Sequence, residues 1–385
     1  MSLNVEQTVR ERYTRGAHQR EEALCCPTSY DDRYLAVLPA EIIERDYGCG
    51  DPSAYVREGD IVLDLGSGSG KICYIAAQVV GPSGRVIGVD LNEEMLALAR
   101  RYQPDVTRRL GYDNVSFRRG KIQDLRTDLD GVDEFLRRHP VASTRDLAEF
   151  DAFTAEQRRT RPLVADESVD VVVSNCVLNL VRDEDKQALF AELFRVLKRS
   201  GRAVISDIVS DEEVPPHLKQ DPELWSGCIA GAFQETAFLD AFTAAGFHGM
   251  EVLKRDETPW RTVEGIEFRS VTVRAWKGKQ GECWDHNQAV IYRGPWSEVR
   301  DDDGHVLRRG VPMAVCEKTF RLYTREPYAR EIIPIEPRVP VSPDAAKLFD
   351  CSRDAVRHPR ETKGLDYDAT TEAAGSCCGP STGCC

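Results

Sequence analysis

The chain has 385 residues, of which 41% are apolar and 30% are charged, and it carries a net charge of −13. This composition is typical of a folded globular protein, and its acidity argues against binding to nucleic acid or to anionic membranes. No apolar run reaches the roughly 18 residues of a membrane-spanning helix, and the charged N-terminal stretch contains no apolar signal-peptide core. We therefore expect a cytoplasmic protein with no nucleic-acid or membrane partner.

Thirteen cysteines are the unusual feature of this composition. A reducing compartment makes a disulfide framework an unfavourable explanation for them. Six of the thirteen form adjacent pairs: Cys25-Cys26, Cys377-Cys378 and Cys384-Cys385. So many thiols indicate either a soft metal or metalloid ligand or thiol redox chemistry.

A regular alternation of strands and helices occupies residues 55–210. The N-terminal segment, 1–54, is predicted to be helical over residues 1–25 and 34–46. The alternation then begins with the strand IVLDL, the turn GSGSG, a helix over 71–80, the strand RVIGVDL and the helix NEEMLALARRY. Further strands are predicted at 115–120, 168–180 and 202–209, with a helix over 185–201 that ends at Gly201. This pattern predicts an α/β fold with a Rossmann-like, doubly wound core and a surface insertion at 126–165.

The rest of the chain has a different pattern. Residues 211–280 are predicted to form a substrate-binding segment with a helix over 222–245 and strands over 246–275. Residues 281–340 are predicted to form a smaller β-rich domain, with hairpin strands on either side of the polar turn DDDGH. Apolar content then falls, and residues 341–385 are expected to be a disordered, cysteine-rich tail.

The glycine-rich turn from Asp64 to Gly70 follows a strand and precedes a helix, where glycines let a ligand approach the backbone closely. Its pattern is G-x-G-x-G, and Lys71 stands where a dinucleotide fingerprint requires the third glycine. The Asp64 carboxylate would repel a pyrophosphate and suits a ligand with a cationic amino group. Asp90 ends the next strand, where a carboxylate binds ribose hydroxyls. A Rossmann domain that binds NAD, or no nucleotide, is the alternative.

Four single cysteines are candidates for the chemistry: Cys49, Cys73, Cys176 and Cys228. Cys176 follows a strand, so it is expected to lie over the cofactor at the carboxyl edge of the sheet. Cys73 lies in the first turn of a helix, where the helix dipole is expected to lower its thiol pKa. The alternative for each is a small buried apolar residue.

Several of these segments together resemble the arsenite S-adenosylmethionine (SAM) methyltransferases, within the class I SAM-dependent superfamily. The matching segments are YGCG, VLDLGSGSGKICYIAAQVVGPSGRVIGVDLNEEML, SNCVLNLV, LWSGC and the double-cysteine tail. The resemblance covers roughly residues 45–325 and the C-terminus.

The resemblance implies an enzyme that methylates arsenite to mono- and dimethylated arsenicals, as detoxification. It implies that Cys73, Cys176 and Cys228 bind As(III), and that Cys49 pairs with Cys73 in redox cycling. A thiol reductant of the thioredoxin or glutathione type would then be the partner. The tail cysteines Cys377, Cys378, Cys384 and Cys385 would capture arsenic. The SAM-binding residues implied are Asp64, Gly66, Ser67, Gly68, Gly70, Asp90, Leu91, Met95, Ile122, Gln123 and Asn175.

Two alternatives to this function remain at the level of sequence. One is a cysteine-rich metalloid-binding or sensing protein on a methyltransferase fold. The other is a SAM methyltransferase that acts on another soft metalloid or on an organic thiol. Cys25-Cys26 is interpreted as a second capture site, a redox relay or a structural pair. Cys283 and Cys316 are expected to be ordinary strand residues, and Cys351 to be incidental.

Overall fold

Two compact units make up the chain, residues 1–278 and residues 279–385. The computed structural model describes residues 4–24, 28–352 and 354–364. Within these residues, the strands of the first unit are β1 Ile61–Leu65, β2 Arg85–Asp90, β3 Val115–Arg119, β4 Val169–Asn175, β5 Leu197–Ser210, β6 Phe233–Gln234, β7 His248–Arg255, β8 Arg261–Val263 and β9 Ile266–Trp276. Its helices are α1 Val5–His18, α2 Asp32–Leu35, α3 Ala40–Glu44, α4 Lys71–Val80, α5 Glu93–Leu110, α6 Leu129–Arg138, α7 Thr144–Thr160, α8 Lys186–Val196, α9 Pro222–Ser226 and α10 Glu235–Ala244.

The strands of the first unit form one mixed sheet in the order β3-β2-β1-β4-β5-β9-β7, with β6 paired to β5 and β8 paired to β9. Strands β1 to β5 are mutually parallel, whereas β9 runs antiparallel to β5. The strand order reverses between β1 and β4, and open α/β sheets bind ligands at the carboxyl ends of the strands at such a switch point. The predicted Rossmann-like core is therefore confirmed, and the sheet continues past residue 210 through β9 and β7.

Burial on both faces explains why every residue of β1 except Asp64 is apolar. Val62 packs into one core with the helix α4, whereas Leu63 and Leu65 pack into a second core on the opposite face. All three side chains are fully buried. Parallel sheets covered by helices on both sides lack the alternation of apolar and polar residues that a half-exposed strand shows.

Three predicted helices are shorter than the sequence pattern indicated. The helix predicted over 34–46 is broken into α2 and α3 by Pro39, because proline disfavours a helical residue before it. The helix predicted over 185–201 is wrong at its end: α8 stops at Val196 and β5 begins at Leu197. The helix predicted over 222–245 ends at Ser226 and resumes only at Glu235; between them, Cys228 has a φ of 61°, which is incompatible with a right-handed helix.

The insertion at 126–165 is more regular than its sequence pattern indicated. It forms the two helices α6 and α7, and a capping box of Ser143 and Asp146 starts α7. The rings of Phe135 and Phe153 stack at a centroid distance of 4.2 Å and join the two helices. Most of its other side chains are exposed.

The second unit contains short strands around a small apolar core. Its strands are β10 Trp284–Asp285, β11 Ala289–Tyr292, β12 Glu298–Arg300, β13 Val306–Arg308, β14 Pro312–Ala314, β15 Ile332–Ile335 and β16 Lys347–Leu348. Its helices are α11 Glu317–Tyr323 and α12 Pro359–Lys363. Strand β11 lies between β14 and β15, and β12 pairs with β13 across the turn predicted at DDDGH.

Two predictions for the second unit are wrong. Cys316, which was expected to be a strand residue, is instead the N-cap of the helix α11. The tail predicted to be disordered from residue 341 contains β16 and α12. The cysteines beyond residue 364 and the pair Cys25-Cys26 lie outside the described residues.

Candidate active site

A cavity lies at the carboxyl edge of the sheet, at the switch point between β1 and β4. Its empty space, including the part that is open to solvent, is about 1120 Å³, which is enough room for a small-molecule ligand. The residues of the implied cofactor site that line it are Asp64, Gly66, Ser67, Gly68, Asp90, Leu91, Met95, Ile122, Gln123 and Asn175. Gly70 lies behind the turn, against Phe117 and Tyr74, and does not line the cavity.

The glycines of the turn satisfy local steric demands. Gly66 has a φ of 69°, and a Cβ at this position would lie 2.4 Å from the Val177 side chain. Gly68 has a φ of 50°, and its amide donates a hydrogen bond to Asp90 at 2.8 Å. The turn therefore presents bare backbone to the cavity, as a close-fitting ligand requires.

Two carboxyl groups, those of the buried Asp64 and the partly buried Asp90, face this cavity. Burial raises the pKa of Asp64 to about 8, the hydrogen bond from Cys73 lowers it, and the neighbouring charges of Asp46 and Asp90 raise it. Burial also raises the pKa of Asp90, against hydrogen bonds from the backbone amides of Asn92, Gly68 and Leu91. A cationic ligand would stabilise both groups in their carboxylate form. This agrees with the expectation that Asp64 suits a ligand with a cationic amino group.

Cys176 and Cys228 share a strained backbone conformation. Their φ angles are 62° and 61°, in the left-handed region that residues other than glycine rarely adopt. The Cys228 thiol donates a hydrogen bond to the backbone carbonyl of Cys176 at 3.2 Å. Cys176 also lines the cavity beside the glycine turn. Such strain costs on the order of 1–3 kcal/mol and concentrates at functional sites.

Cys49 is held next to Cys176 by Asn175, the last residue of β4. The Asn175 side chain accepts hydrogen bonds from the amides of Cys49 at 2.9 Å and Gly50 at 3.0 Å. A Cβ at Gly48 would lie only 2.0 Å from the same side chain. The glycines of the YGCG segment therefore allow it to press against the end of β4. Cys49, Cys176 and Cys228 all belong to one buried cluster.

Asp207, on the neighbouring strand β5, completes this arrangement. One of its carboxylate oxygens and the sulfurs of Cys49 and Cys176 all lie within 4.8 Å of one another. The carboxylate accepts hydrogen bonds from the amides of Leu178 and Ile208, each at 2.8 Å. Burial nevertheless raises its pKa to about 7, so the group changes charge near neutral pH. The sequence offered no signal for it beyond a polar residue inside an apolar strand.

Cys73 lies apart from this group of cysteines. It is fully buried in the core on the α4 side of the sheet, and its thiol donates a hydrogen bond to Asp64 at 3.2 Å. Burial and the negative charge of Asp64 raise the pKa of Cys73 well above its ordinary value. The expectation that the helix dipole lowers this pKa is therefore wrong, because desolvation outweighs the dipole.

The N-terminal helix α1 supplies a site residue that the sequence analysis did not identify. Tyr13 lines the cavity, and its hydroxyl group lies next to the Cys228 side chain. Burial and the proximity of Cys228 and Cys176 raise the Tyr13 pKa. The Tyr13 ring also packs edge-on against Tyr47, whose hydroxyl donates to the Gly16 carbonyl at 2.9 Å. An aromatic residue on an amphipathic helix gives no sequence signal that separates this role from core packing.

None of the helices in the described ranges has both the length and the apolar character that crossing a membrane requires.

Comparison with known proteins adds two kinds of similarity. A family model described as a methyltransferase domain matches residues 57–150 and 141–257, and one described as a domain of unknown function matches residues 279–367. The arsenite methyltransferase of Aquipseudomonas alcaligenes is 32% identical over 92% of this chain and 93% of its own length. That of Mus musculus is 27% identical over 92% of this chain and 89% of its own. The structure of an arsenic(III) S-adenosylmethionine methyltransferase from Chlamydomonas reinhardtii is 29% identical, with a TM-score of 0.55, and the match covers 84% of this chain and 100% of that one.

Proposed function

Because this chain belongs to the arsenite methyltransferase family, we propose that it methylates trivalent arsenic held by Cys176 and Cys228, with SAM as the methyl donor. The observation that carries this proposal is the cavity itself: Cys176 and the Asp64-to-Gly68 turn line the same space. A thiol-bound metalloid and a nucleoside cofactor would therefore meet there without a large rearrangement of the chain.

The residues present fit SAM. Its cationic amino group would pair with Asp64, and its ribose hydroxyls would bind Asp90. Both carboxyl groups lie at the cavity and have raised pKa values. Ile122 and Gln123 would contact the adenine, and the bare backbone of the turn would accept the chain between them. When bound, SAM supplies an electrophilic methyl group on a positively charged sulfur.

The soft thiolates suit As(III), which prefers sulfur ligands to oxygen ligands. Three cysteine sulfurs would replace the three hydroxyl groups of arsenite, and three water molecules would leave with the thiol protons. Arsenic then keeps its lone pair, which forms the new As–C bond as the methyl–sulfur bond of the donor breaks. Arsenic is formally oxidised from +III to +V. A further cysteine thiolate then attacks the sulfur of one As–S bond. The two sulfurs form a disulfide, and the electron pair of the broken As–S bond returns to arsenic, which restores As(III).

The structure favours a different cysteine as the third arsenic ligand from the one that the resemblance implied. The resemblance implied Cys73, whose thiol instead hydrogen-bonds to Asp64 in this structure. Cys49 lies within 4.8 Å of Cys176, and this supports Cys49 as the third ligand at the binding step. Cys73 would then serve as the redox partner of Cys49, after its hydrogen bond to Asp64 breaks.

Asp207 is suited to move the proton of an incoming thiol. Its carboxylate lies beside the sulfurs of Cys49 and Cys176, and its pKa of about 7 lets it accept a proton at neutral pH. The proton would then pass to a departing hydroxyl group, which leaves as water. Efficient acid–base groups have pKa values near the working pH.

The enzyme disulfide formed in each cycle requires an external reductant. We propose a thiol reductant of the thioredoxin or glutathione type, since thiol–disulfide exchange is the direct route back to two thiols. Such a cycle suits the reducing cytoplasm. The cysteine pairs Cys377-Cys378 and Cys384-Cys385 would capture arsenic in this scheme.

Speciation of arsenic after incubation with SAM, arsenite and a monothiol tests the proposal. The wild-type protein should form methylated arsenic, with one S-adenosylhomocysteine per methyl group. Cys176→Ser and Cys228→Ser should abolish methylation and leave the Kd for SAM within about twofold, since neither change removes a predicted SAM contact. Cys351→Ser is the matched control and should retain activity.

Two results would contradict the proposal. Undetectable SAM binding by calorimetry would favour a metalloid-binding or sensing protein. Methylation that persists in both Cys176→Ser and Cys228→Ser would mean that the cysteines do not hold the substrate, as expected if an organic thiol is methylated.

A further inference from the structure

Three cysteines of the second unit converge, although each comes from a different part of the sequence. The sulfurs of Cys283, Cys316 and Cys351 all lie within 4.8 Å of one another. Cys316 is fully buried, whereas Cys283 and Cys351 are partly exposed. We call these residues the thiol trio. Its members are therefore neither ordinary strand residues nor incidental, contrary to the expectation from their sequence context.

Separate backbone contacts hold each member of the trio. Strands β10 and β16 pair, and the amide of Phe349 donates to the carbonyl of Cys283 at 2.7 Å, which brings Cys351 beside Cys283. Cys316 is fixed as the N-cap of α11, where its sulfur accepts a hydrogen bond from the Thr319 amide at 3.4 Å. The convergence is therefore part of the fold of this unit.

We propose that the thiol trio is a second binding site for a trivalent metalloid, separate from the catalytic cavity. Two sulfurs bound to one atom by bonds of about 2.3 Å, the length of a zinc–thiolate bond, lie at most about 4.6 Å apart. Small rotations of the cysteine side chains would therefore bring the three sulfurs close enough to bind one atom. None of its residues lines the cavity of the first unit.

The number of ligands favours As(III) over zinc. Structural zinc sites hold four protein ligands in a tetrahedron, whereas this cluster of His, Cys, Asp and Glu side chains in the described residues contains three members, all of them cysteines. Trivalent arsenic needs three sulfurs and keeps a lone pair at the fourth position. The Lys318 ammonium donates to the Gly281 carbonyl at 3.1 Å and adds a positive charge beside Cys283.

Two partly exposed thiols above one buried thiol allow stepwise capture from solvent. The choice of arsenic as the occupant rests on the proposed function, whereas the three-sulfur geometry does not. A site of this kind would hold substrate on the enzyme without taking part in methyl transfer.

Titration of the full-length protein with inorganic arsenite tests the site. Arsenic retained after desalting should fall by one atom per chain in the variant Cys283→Ser/Cys316→Ser/Cys351→Ser, whose methylation activity should persist. Trp284 adjoins Cys283, so arsenite should quench its emission, and Trp284→Phe should remove that part of the signal. The variant Cys351→Ser changes only a partly exposed side chain. It should raise the arsenite concentration needed for half-maximal quenching at least tenfold.

A Cys176→Ser/Cys228→Ser variant separates this inference from the proposed function. It should lose methylation and still show the Trp284 response to arsenite. The inference is overturned if the triple variant, shown by circular dichroism to be folded, binds as much arsenic as the wild type. It is also overturned if the trio binds one equivalent of zinc that excess arsenite does not displace.

Discussion

The Cys228 thiol donates a hydrogen bond to the backbone carbonyl of Cys176 at 3.2 Å, and both residues have φ angles near 60°. The two strained residues are thus tied directly to each other. Since glycine would occupy either backbone position at lower cost, local stability does not explain why cysteine is there. The proposed binding of arsenic by the two thiols would explain it.

This strain predicts an inverted order of stability at Cys176. Within a helix or strand, alanine normally makes a protein about 0.5–1 kcal/mol more stable than glycine does. Here Cys176→Gly should be at least as stable as Cys176→Ala, because alanine keeps the strain of the left-handed backbone. The free energy of unfolding in urea measures the difference, and both variants should lack methylation activity. Leu178→Ala is a control with an ordinary buried side chain and should be destabilised by about 2–5 kcal/mol. An alanine variant clearly more stable than the glycine variant would contradict the strained geometry.

SAM binding should depend on pH through Asp64. Its pKa is raised to about 8 in the cofactor-free site, so the carboxyl group is mostly protonated at pH 7. A cationic amino group binds the carboxylate, and binding must therefore release a proton. The affinity for SAM should rise up to tenfold per pH unit between pH 6 and 8 and level off above pH 8.

Calorimetry at pH 7 in two buffers with different ionisation enthalpies measures the proton released. Asp64→Asn should bind SAM more weakly and without this pH dependence. Proton uptake on binding to the wild type would contradict the assignment of Asp64 to the amino group.

Asp207→Asn should lower the rate of arsenite methylation about 10²–10⁴-fold, the usual contribution of a general acid or base. With a pKa of about 7, wild-type activity should rise with pH through that value as the carboxylate forms. The variant should lose this rise and retain SAM affinity. Its stability should fall by about 1–3 kcal/mol, because an amide group cannot accept both backbone hydrogen bonds. A variant with the wild-type pH profile would assign Asp207 a structural role alone.

The position of the candidate cofactor residues at the cavity was predictable from sequence because these residues are close together in the chain. Asp64, the glycines and Asp90 lie within 27 positions of one another, and the β-turn-α pattern places them at one edge of the sheet. Cys176 was predictable for the same reason, since it directly follows β4.

The parts that were not predictable depend on contacts between distant segments. Asp207 reaches Cys49 only because β5 lies beside β4 and Asn175 holds the YGCG segment against it. In the second unit, the pairing of β10 with β16 brings together cysteines whose sequence context carries no motif. The end of α8 was predicted wrongly because its helical sequence pattern continues into residues that form the start of β5. Pairing with the neighbouring strands outweighed the local helix propensity there.

The separate positions of Cys49 and Cys73 predict that the two thiols act at different stages. Cys73→Ser preserves a hydrogen-bond donor to Asp64, so the fold and the affinity for SAM should be retained. If Cys73 supplies the second thiol of the disulfide, this variant should complete about one methylation per chain and then stall. Cys49→Ser should already lose arsenite affinity, because its sulfur lies beside Cys176. Rapid-quench measurement of S-adenosylhomocysteine separates the first turnover from later ones, with Cys351→Ser as the control that turns over normally. A Cys73→Ser variant with no first turnover would return Cys73 to the arsenic-binding set.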